Sequence, residues 1–132
     1  MISRTARYAF QILGYLAARP AQQLRGEEIA AATGIPANYL AKILNQLRKT
    51  GLVESQKGWG GGFRLRAGAE NRPIRDVLVV FDGLGSAERT DCALGRPACD
   101  AGHPCAMHEE WAGVRDGFTR MITTTRVADL AQ

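Results

Sequence analysis

The sequence predicts a mainly α-helical fold with one small β-hairpin, on three observations. Apolar residues recur at steps of three and four in several segments, which is the spacing of one helix face. A single glycine-rich stretch is flanked by short runs of strand character. The 132 residues are 45% hydrophobic and 23% charged, a balance typical of globular chains. We expect one domain over residues 1–70, followed over residues 71–132 by a linker helix, a cysteine-rich loop and a long helix.

Two helices are predicted near the start of the chain. Ser3 can cap the first helix, whose apolar residues fall at helical spacing, and Pro20 ends it just beyond Arg19. A second, short helix is expected over residues 27–33. The two glutamates in its first turn favour it, and Gly34 stops it.

A third, amphipathic helix is predicted between Pro36 and Gly51. Proline suits a first helical position and glycine a C-terminal stop. The apolar stripe of this helix is Leu40, Ile43, Leu44 and Leu47, and the residues left outside are Asn38, Tyr39, Lys42, Asn45, Gln46 and Lys49. Two short helices joined by a tight glycine turn, the second amphipathic, are the sequence form of a helix-turn-helix. An ordinary helical hairpin is the alternative.

A β-hairpin follows in the stretch LVESQKGWGGGFRLRAG. We predict a strand, a glycine-rich tip over residues 58–62 and a returning strand over residues 63–66, which together make a wing. Glycines allow the tip to approach another backbone closely. The surrounding side chains favour contact with phosphates or a minor groove, and they are Lys57, Trp59, Arg64 and Arg66. Trp59 either points toward a groove or packs on the protein.

The charge is divided unevenly along the chain, whose formal net charge is +4. Residues 1–75 contain twelve Lys and Arg against four acidic residues, whereas residues 76–132 contain five against nine. This asymmetry favours an N-terminal nucleic-acid-binding module joined to a different C-terminal module. A generally basic solvated surface is the alternative.

The stretch IRDVLVVFDGLGS has two interpretations. Gly83 and Gly85 resemble the opening of a dinucleotide-binding fingerprint, but the third glycine and the surrounding βαβ pattern are missing. The apolar residues also fit one face of a helix, which we favour; they are Ile74, Val77, Leu78 and Phe81.

A long helix is predicted from about Met107 into the mid-120s. Its apolar face is made of Met107, Trp111, Val114, Phe118, Met121 and Ile122. We expect this face to pair with a second copy of the chain, because helix-turn-helix proteins commonly bind paired DNA half-sites as two-fold dimers. Packing on the chain's own first helix is the alternative.

All three cysteines and both histidines lie within residues 92–111. The sequence has no export signal and no membrane-length apolar run, so a cytoplasmic location without membrane association is expected, and structural disulfides are not. The stretch can hold an iron–sulfur cluster, act as a thiol switch, bind zinc or bind nothing. Zinc is disfavoured because structural zinc sites use shorter Cys–Cys gaps. No thiol has an evident activating partner, so we expect no enzyme activity.

With these features together, the chain resembles the Rrf2 family of winged-helix transcription regulators. RYAFQILGYLA is similar to the family's first helix, IAAATGIPANYLAKILNQLRKTGLVES to its helix-turn-helix, and KGWGGGFRL to its wing. The resemblance implies a winged helix-turn-helix domain plus a long dimerisation helix, bound to a double-stranded DNA operator as a homodimer. It places the DNA-binding residues at Asn38, Tyr39, Lys42 and Gln46 on the recognition helix and Lys57, Trp59, Gly60 and Gly61 on the wing.

The resemblance also implies a role for the cysteines. Sensing members of the family hold an iron–sulfur cluster with three cysteines and a histidine, which correspond to Cys92, Cys99, Cys105 and His108, although the gap from Cys92 to Cys99 is one residue longer here. A 2Fe–2S cluster is favoured over 4Fe–4S, because Tyr8 stands where some relatives supply an acidic ligand. His103 is expected to be solvent-exposed. The function implied is a homodimeric regulator whose operator affinity is controlled by the cluster. The alternative is a regulator of the same fold that responds to thiol oxidation, a metabolite or a partner protein.

Overall fold

The computed structural model describes residues 1–131 and confirms a mainly α-helical fold with one small antiparallel sheet. Within these residues the α-helices are α1 (Arg4–Ala17), α2 (Gly26–Thr33), α3 (Ala37–Lys49), α4 (Ile74–Asp82), α5 (Leu84–Ala87) and α6 (His108–Thr124). The sheet consists of β1 (Val53–Gln56) and β2 (Gly62–Leu65), and two 3₁₀ turns span Ala69–Asn71 and Val127–Leu130. None of the helices in this part of the chain has the length and apolarity to cross a membrane.

The predicted helix boundaries are met closely at both ends of α1 and α2. The Ser3 hydroxyl accepts a hydrogen bond from the backbone N–H of Ala6 at 3.0 Å and so caps α1. This helix ends at Ala17, slightly before the predicted end at Arg19, because the chain tightens there into a 3₁₀-type bond from Arg19 N–H to the Leu16 carbonyl. Gly34 ends α2 in the left-handed conformation, with φ of 73°.

The first three helices bury one continuous apolar core. The predicted stripe of α3 is buried throughout, and it meets the inner faces of α1 and α2. The fully buried side chains of this core include Ile12, Leu13, Leu16, Ile29, Ile43, Leu44 and Leu47. Val77 and Val127, which lie beyond residue 70, belong to the same core. The division of the chain at residue 70 stays a prediction.

The predicted wing is formed by β1 and β2. Their register places Val53 opposite Leu65 and Gln56 opposite Gly62, so the returning strand begins one residue earlier than predicted. A third segment joins the base of the wing, because Leu24 and Phe63 exchange backbone hydrogen bonds of 2.9 and 2.7 Å. The wing is therefore fixed to the segment between α1 and α2.

The stretch IRDVLVVFD is helical, as predicted, and forms α4. Its buried face joins a second apolar cluster with residues of α1, α5 and α6, consisting of Ala6, Ile74, Leu78, Ala87, Phe118 and Ile122. The apolar face of α6 is thus divided lengthwise. One edge is buried on α4 and α1, whereas the edge carrying Val114 and Met121 is exposed.

After α6 the chain returns to the start of α4 and to α1. The Ile74 N–H donates to the Thr125 carbonyl and the Val127 N–H to the Arg72 carbonyl, both at 2.9 Å. The turn that follows lies so close to α1 that a Cβ at Gly14 would be 2.3 Å from the Leu130 carbonyl oxygen. The C-terminal end of α6 is therefore attached to the helix-turn-helix core.

We predict that Gly14→Ala destabilises the protein by about 1–3 kcal/mol, because the added methyl overpacks a contact with backbone atoms. Urea unfolding followed by circular dichroism measures the free energy of unfolding. Gly26→Ala is the matched control, since nothing lies within 4 Å of a Cβ at Gly26. Equal stability of the two variants would show that the α1 contact tolerates a side chain.

Candidate functional site

The outward face of α3 is available for contact along its whole length. Asn38, Tyr39, Lys42 and Gln46 are all exposed, as a DNA-reading helix requires. Pro36 precedes α3 and no side chain caps the helix, so its first backbone N–H groups have no side-chain acceptor. The predicted reading residues therefore share one free surface.

Tyr8 of α1 lies beside this surface, a position that no local pattern in the sequence indicates. Its ring centroid lies 6.4 Å from that of Tyr39, with the planes tilted by 57°. Tyr8 is half-buried against the main core, whereas Tyr39 is 51% exposed. Tyr8 therefore packs against one side of the Tyr39 ring and restricts its position. Its only sequence signal is an aromatic residue at the edge of the apolar stripe of α1.

The wing presents Lys57, Trp59 and Gly60 to solvent, but Gly61 is buried. A Cβ at Gly61 would lie 2.1 Å from the Gln56 carbonyl oxygen, so glycine is required there to close the tip. Trp59 is fully exposed, with a relative accessibility of 102%. The alternative in which Trp59 packs on the protein is therefore wrong for the single chain.

The positive charges of this region differ in their partners. Arg64 of β2 forms an ion pair with Glu54 across the wing. Within residues 1–131, by contrast, Lys42 and Lys57 take part in no ion pair with an acidic side chain. Lys42 lies on the predicted reading surface and Lys57 beside the wing tip, and both exposed lysines are suited to a polyanion.

The cysteine loop is folded back on itself between Thr90 and Cys99. The Cys99 N–H donates to the Thr90 carbonyl at 3.0 Å, and the Cys92 N–H donates to the Arg96 carbonyl at 3.2 Å. A turn at Gly95, where φ is 84°, closes this short hairpin. The longer gap between the first two cysteines is therefore taken up by a turn.

The four predicted ligands lie in two pairs. The sulfurs of Cys92 and Cys105 are 3.9 Å apart, and the Cys99 sulfur lies 3.1 Å from Nδ1 of His108. Two thiolates at about 2.3 Å from one tetrahedral metal would be roughly 3.8 Å apart, so the first pair has a spacing suited to a shared metal. No group of three or more such side chains converges within residues 1–131. The four-ligand set stays a prediction.

Cys92 is the anchored member of the set. Its side chain is buried, with 4% of the residue exposed, whereas Cys99 and Cys105 are partly exposed. The backbone N–H of Leu94 donates to its sulfur at 3.4 Å, and this hydrogen bond lowers the pKa of the Cys92 thiol below its ordinary value. A thiolate at this position is favoured by a fixed backbone donor.

The loop is attached to the start of α6 by contacts that the sequence did not reveal. The His108 N–H donates to the Cys105 carbonyl at 3.1 Å. The Trp111 indole N–H donates to the Asp91 carbonyl at 2.7 Å, and the Arg89 guanidinium lies 5.8 Å from the Trp111 ring centre. Both ends of the loop therefore meet the first turn of the helix.

His103 is exposed, which confirms the prediction for this residue. Its Nδ1 lies 2.9 Å from the Asp100 carboxylate, and this contact lowers the pKa of Asp100 below its ordinary value. Since its nearest polar partner is a solvent-facing carboxylate, His103 is separate from the two cysteine pairs.

A helix-turn-helix with a two-stranded wing and a long C-terminal helix defines a winged-helix DNA-binding protein. The sequence profile of the Rrf2 family, described as iron-dependent transcriptional regulators, matches residues 2–132. The chain belongs to this family, whose members bind DNA to regulate transcription, and this confirms the resemblance and the fold class.

Individual relatives agree with that membership. An HTH-type transcriptional regulator of Aquifex aeolicus is 34% identical over 133 residues, covering 98% of this chain and 90% of that protein. The regulator IscR of Photorhabdus laumondii is 32% identical over 103 residues, covering 78% of this chain and 61% of IscR. The structure of CymR, titled the global cysteine regulator of B. subtilis, has a TM-score of 0.78 at 26% identity, covering 99% of this chain and 95% of CymR. These names are those of regulators, not enzymes, as predicted.

We predict that Cys92 is the slowest of the three thiols to be alkylated in the folded, reduced and metal-free protein. Its lowered pKa favours reaction, but burial of the sulfur blocks access, and access decides the rate. Iodoacetamide labelling followed by peptide mass spectrometry measures each site. The same protein in urea is the control, in which the three rates should converge. A Cys92 that reacts as fast as Cys99 in the folded protein contradicts the buried position.

Proposed function

We propose that this chain is a homodimeric transcription regulator whose operator affinity is controlled by an iron–sulfur cluster held by Cys92, Cys99, Cys105 and His108. The observation that carries the proposal is the placement of both donor pairs at the start of α6, in a protein of a family described as iron-dependent regulators. A cytoplasmic location is part of the proposal.

DNA recognition is assigned to α3 and the wing. Asn38 suits adenine, and Lys42 suits guanine or a phosphate. Tyr39 can donate to a phosphate or contact a thymine methyl. Gln46 lies one turn beyond Lys42 on the same exposed face. Lys57 at the wing adds charge for the phosphate backbone. The free lysines and the open face of α3 support this assignment.

The dimer is assigned to the exposed edge of α6. Met107, which caps α6, and Val114 and Met121 within it are each more than two-fifths exposed, and an apolar edge of this kind favours burial against another surface. A second copy is the occupant we propose, because two-fold pairing of α6 would present two α3 helices to paired half-sites.

The donor set fits an iron–sulfur cluster chemically, since thiolates and imidazole are its usual protein ligands. Such a cluster supplies a redox-sensitive iron centre when bound. In this chain, the Leu94 N–H favours the thiolate of Cys92, and the Cys105 carbonyl holds the first residue of α6. The 2Fe–2S form is favoured over 4Fe–4S, because Tyr8 supplies a phenol and not a carboxylate.

Coupling between loop and DNA follows from the attachments of α6. Its first turn is hydrogen-bonded to the loop at Asp91 and Cys105, and just beyond its C-terminal end Val127 and Leu130 pack in the core formed by the first three helices. A change in loop order would therefore move or release α6 relative to the reading helices.

A thiol switch is the second candidate, on the 3.9 Å separation of the Cys92 and Cys105 sulfurs. Formation of this disulfide would remove two protons and two electrons from the thiols, which a peroxide would accept as it is reduced. The approach needed is short, because a disulfide bond is about 2.05 Å long.

We predict that Lys42→Ala weakens binding to the specific site roughly 5- to 150-fold, the range for one lost base or charge contact. The probe is a duplex recovered by in vitro selection with the parental chain, and fluorescence anisotropy measures the affinity. Lys49→Ala is the matched control, because Lys49 is also exposed but lies in the last turn of α3. Equal affinities of both variants would remove Lys42 from the reading surface.

We predict that anaerobically purified protein carries iron and acid-labile sulfide in equal amounts, with visible absorbance of a 2Fe–2S centre. His108→Ala should change that spectrum because it removes one donor, whereas His103→Ala, at an exposed histidine, should not. The cluster proposal would be wrong if the protein contained no sulfide after reconstitution. If mass spectrometry then found a peroxide-induced Cys92–Cys105 disulfide, the thiol switch would be the function of the loop.

A further inference from the structure

The wing tip is built so that it displays a single side chain. Between Gly58 and Gly62 the only residue that is not glycine is Trp59. Gly58 and Gly60 have φ of 91° and 71°, in the left-handed region that favours glycine, and the Gly61 N–H donates to the Gly58 carbonyl at 3.1 Å. The turn is therefore specified by its glycines, and Trp59 contributes nothing to closing it.

The turn is also fixed to the body of the protein. The Gln56 carbonyl occupies the space of a Cβ at Gly61, and the Leu24 carbonyl lies 2.7 Å from a Cβ at Gly62. Leu24 itself is buried and bridges to Phe63. The indole is thus carried on a supported tip, so that a partner meets a preorganised ring.

Complete exposure of a tryptophan requires a physical reason. An indole of this size buries about 150–250 Å² where it is packed, and here it packs on nothing. The surrounding residues do not form an apolar patch of the kind that binds a protein, because Trp59 has only glycines and the exposed Lys57 beside it. A lone ring among glycines and a free cation fits an aromatic, polyanionic partner.

We infer that Trp59 inserts between two base pairs in the minor groove beside the site read by α3, and kinks the duplex there. This inference rests on the proposed DNA-binding function. Apolar side chains inserted in this way unstack a base step and bend DNA toward the major groove. The glycines admit the tip between the sugar–phosphate walls, and Lys57 faces the phosphates. Trp59 then favours easily unstacked pyrimidine–purine steps, so it adds specificity at a position that α3 does not touch.

The test uses all 132 residues of the chain and the selected duplex, with 2-aminopurine placed at successive positions beside the α3 site. The parental protein should raise 2-aminopurine fluorescence at one step and bend the duplex, measured by energy transfer between its ends. Trp59→Ala should abolish both signals and weaken binding roughly 5- to 150-fold, the range for loss of one base stack. Trp59→Phe should retain part of each signal.

Lys57→Ala separates stacking from charge, because it should weaken binding while the fluorescence and the bend persist at saturating protein. Since the indole contacts no other side chain, Trp59→Ala should leave the circular dichroism spectrum and unfolding midpoint unchanged. Parental protein that binds the duplex tightly without unstacking or bending it would contradict the insertion of Trp59 and leave the DNA-binding proposal standing. If the parental protein selects no sequence at all, both the DNA-binding proposal and the insertion of Trp59 are overturned.

Discussion

The contact between Gly14 of α1 and the Leu130 carbonyl determines how the two ends of this chain are joined. A side chain at position 14 would clash with that carbonyl, and Val127 of the same turn is fully buried in the main core. On the same helix, the Tyr8 ring lies 6.4 Å from the Tyr39 ring of α3, and Ala6 packs against α4 and α6. α1 is therefore the element through which α3, the wing base and the C-terminal segment share one core.

This arrangement makes α6 a link with two fixed ends. The helix is 17 residues long, and thus spans roughly 25 Å between the cysteine loop and the junction near Thr125. Its exposed edge is free for a second chain, whereas its buried edge carries Phe118 and Ile122 into the body of the protein. A change in the cysteine loop would therefore act on a single helix, α6. The C-terminal end of α6 lies beside the core that positions α3.

The parts of the fold that the sequence predicted are those specified locally. The stripe of α3, the left-handed stop at Gly34 and the glycine-rich tip each depend on residues close together in the chain, so periodicity and backbone preference reveal them. The pairs Tyr8–Tyr39 and Asp91–Trp111 join residues far apart in sequence, and no local pattern marks their partners. No local pattern marks the contact of Val127–Leu130 with α1 either. In the candidate site, the residue types and their order were predictable, but their division into two pairs was not.

The extra residue between Cys92 and Cys99 does not prevent both cysteines from serving as ligands, because the turn at Gly95 accommodates it. The remaining contacts form a continuous chain: Cys92 meets Cys105, the Cys105 carbonyl holds His108, and His108 meets Cys99. Cys99 in turn hydrogen-bonds back to Thr90, so the loop is already closed on itself. A cluster would use both donor pairs of this ring, whereas a disulfide would use only the first. The chemistry of the loop therefore depends on whether the second pair, Cys99 and His108, takes part together with the first.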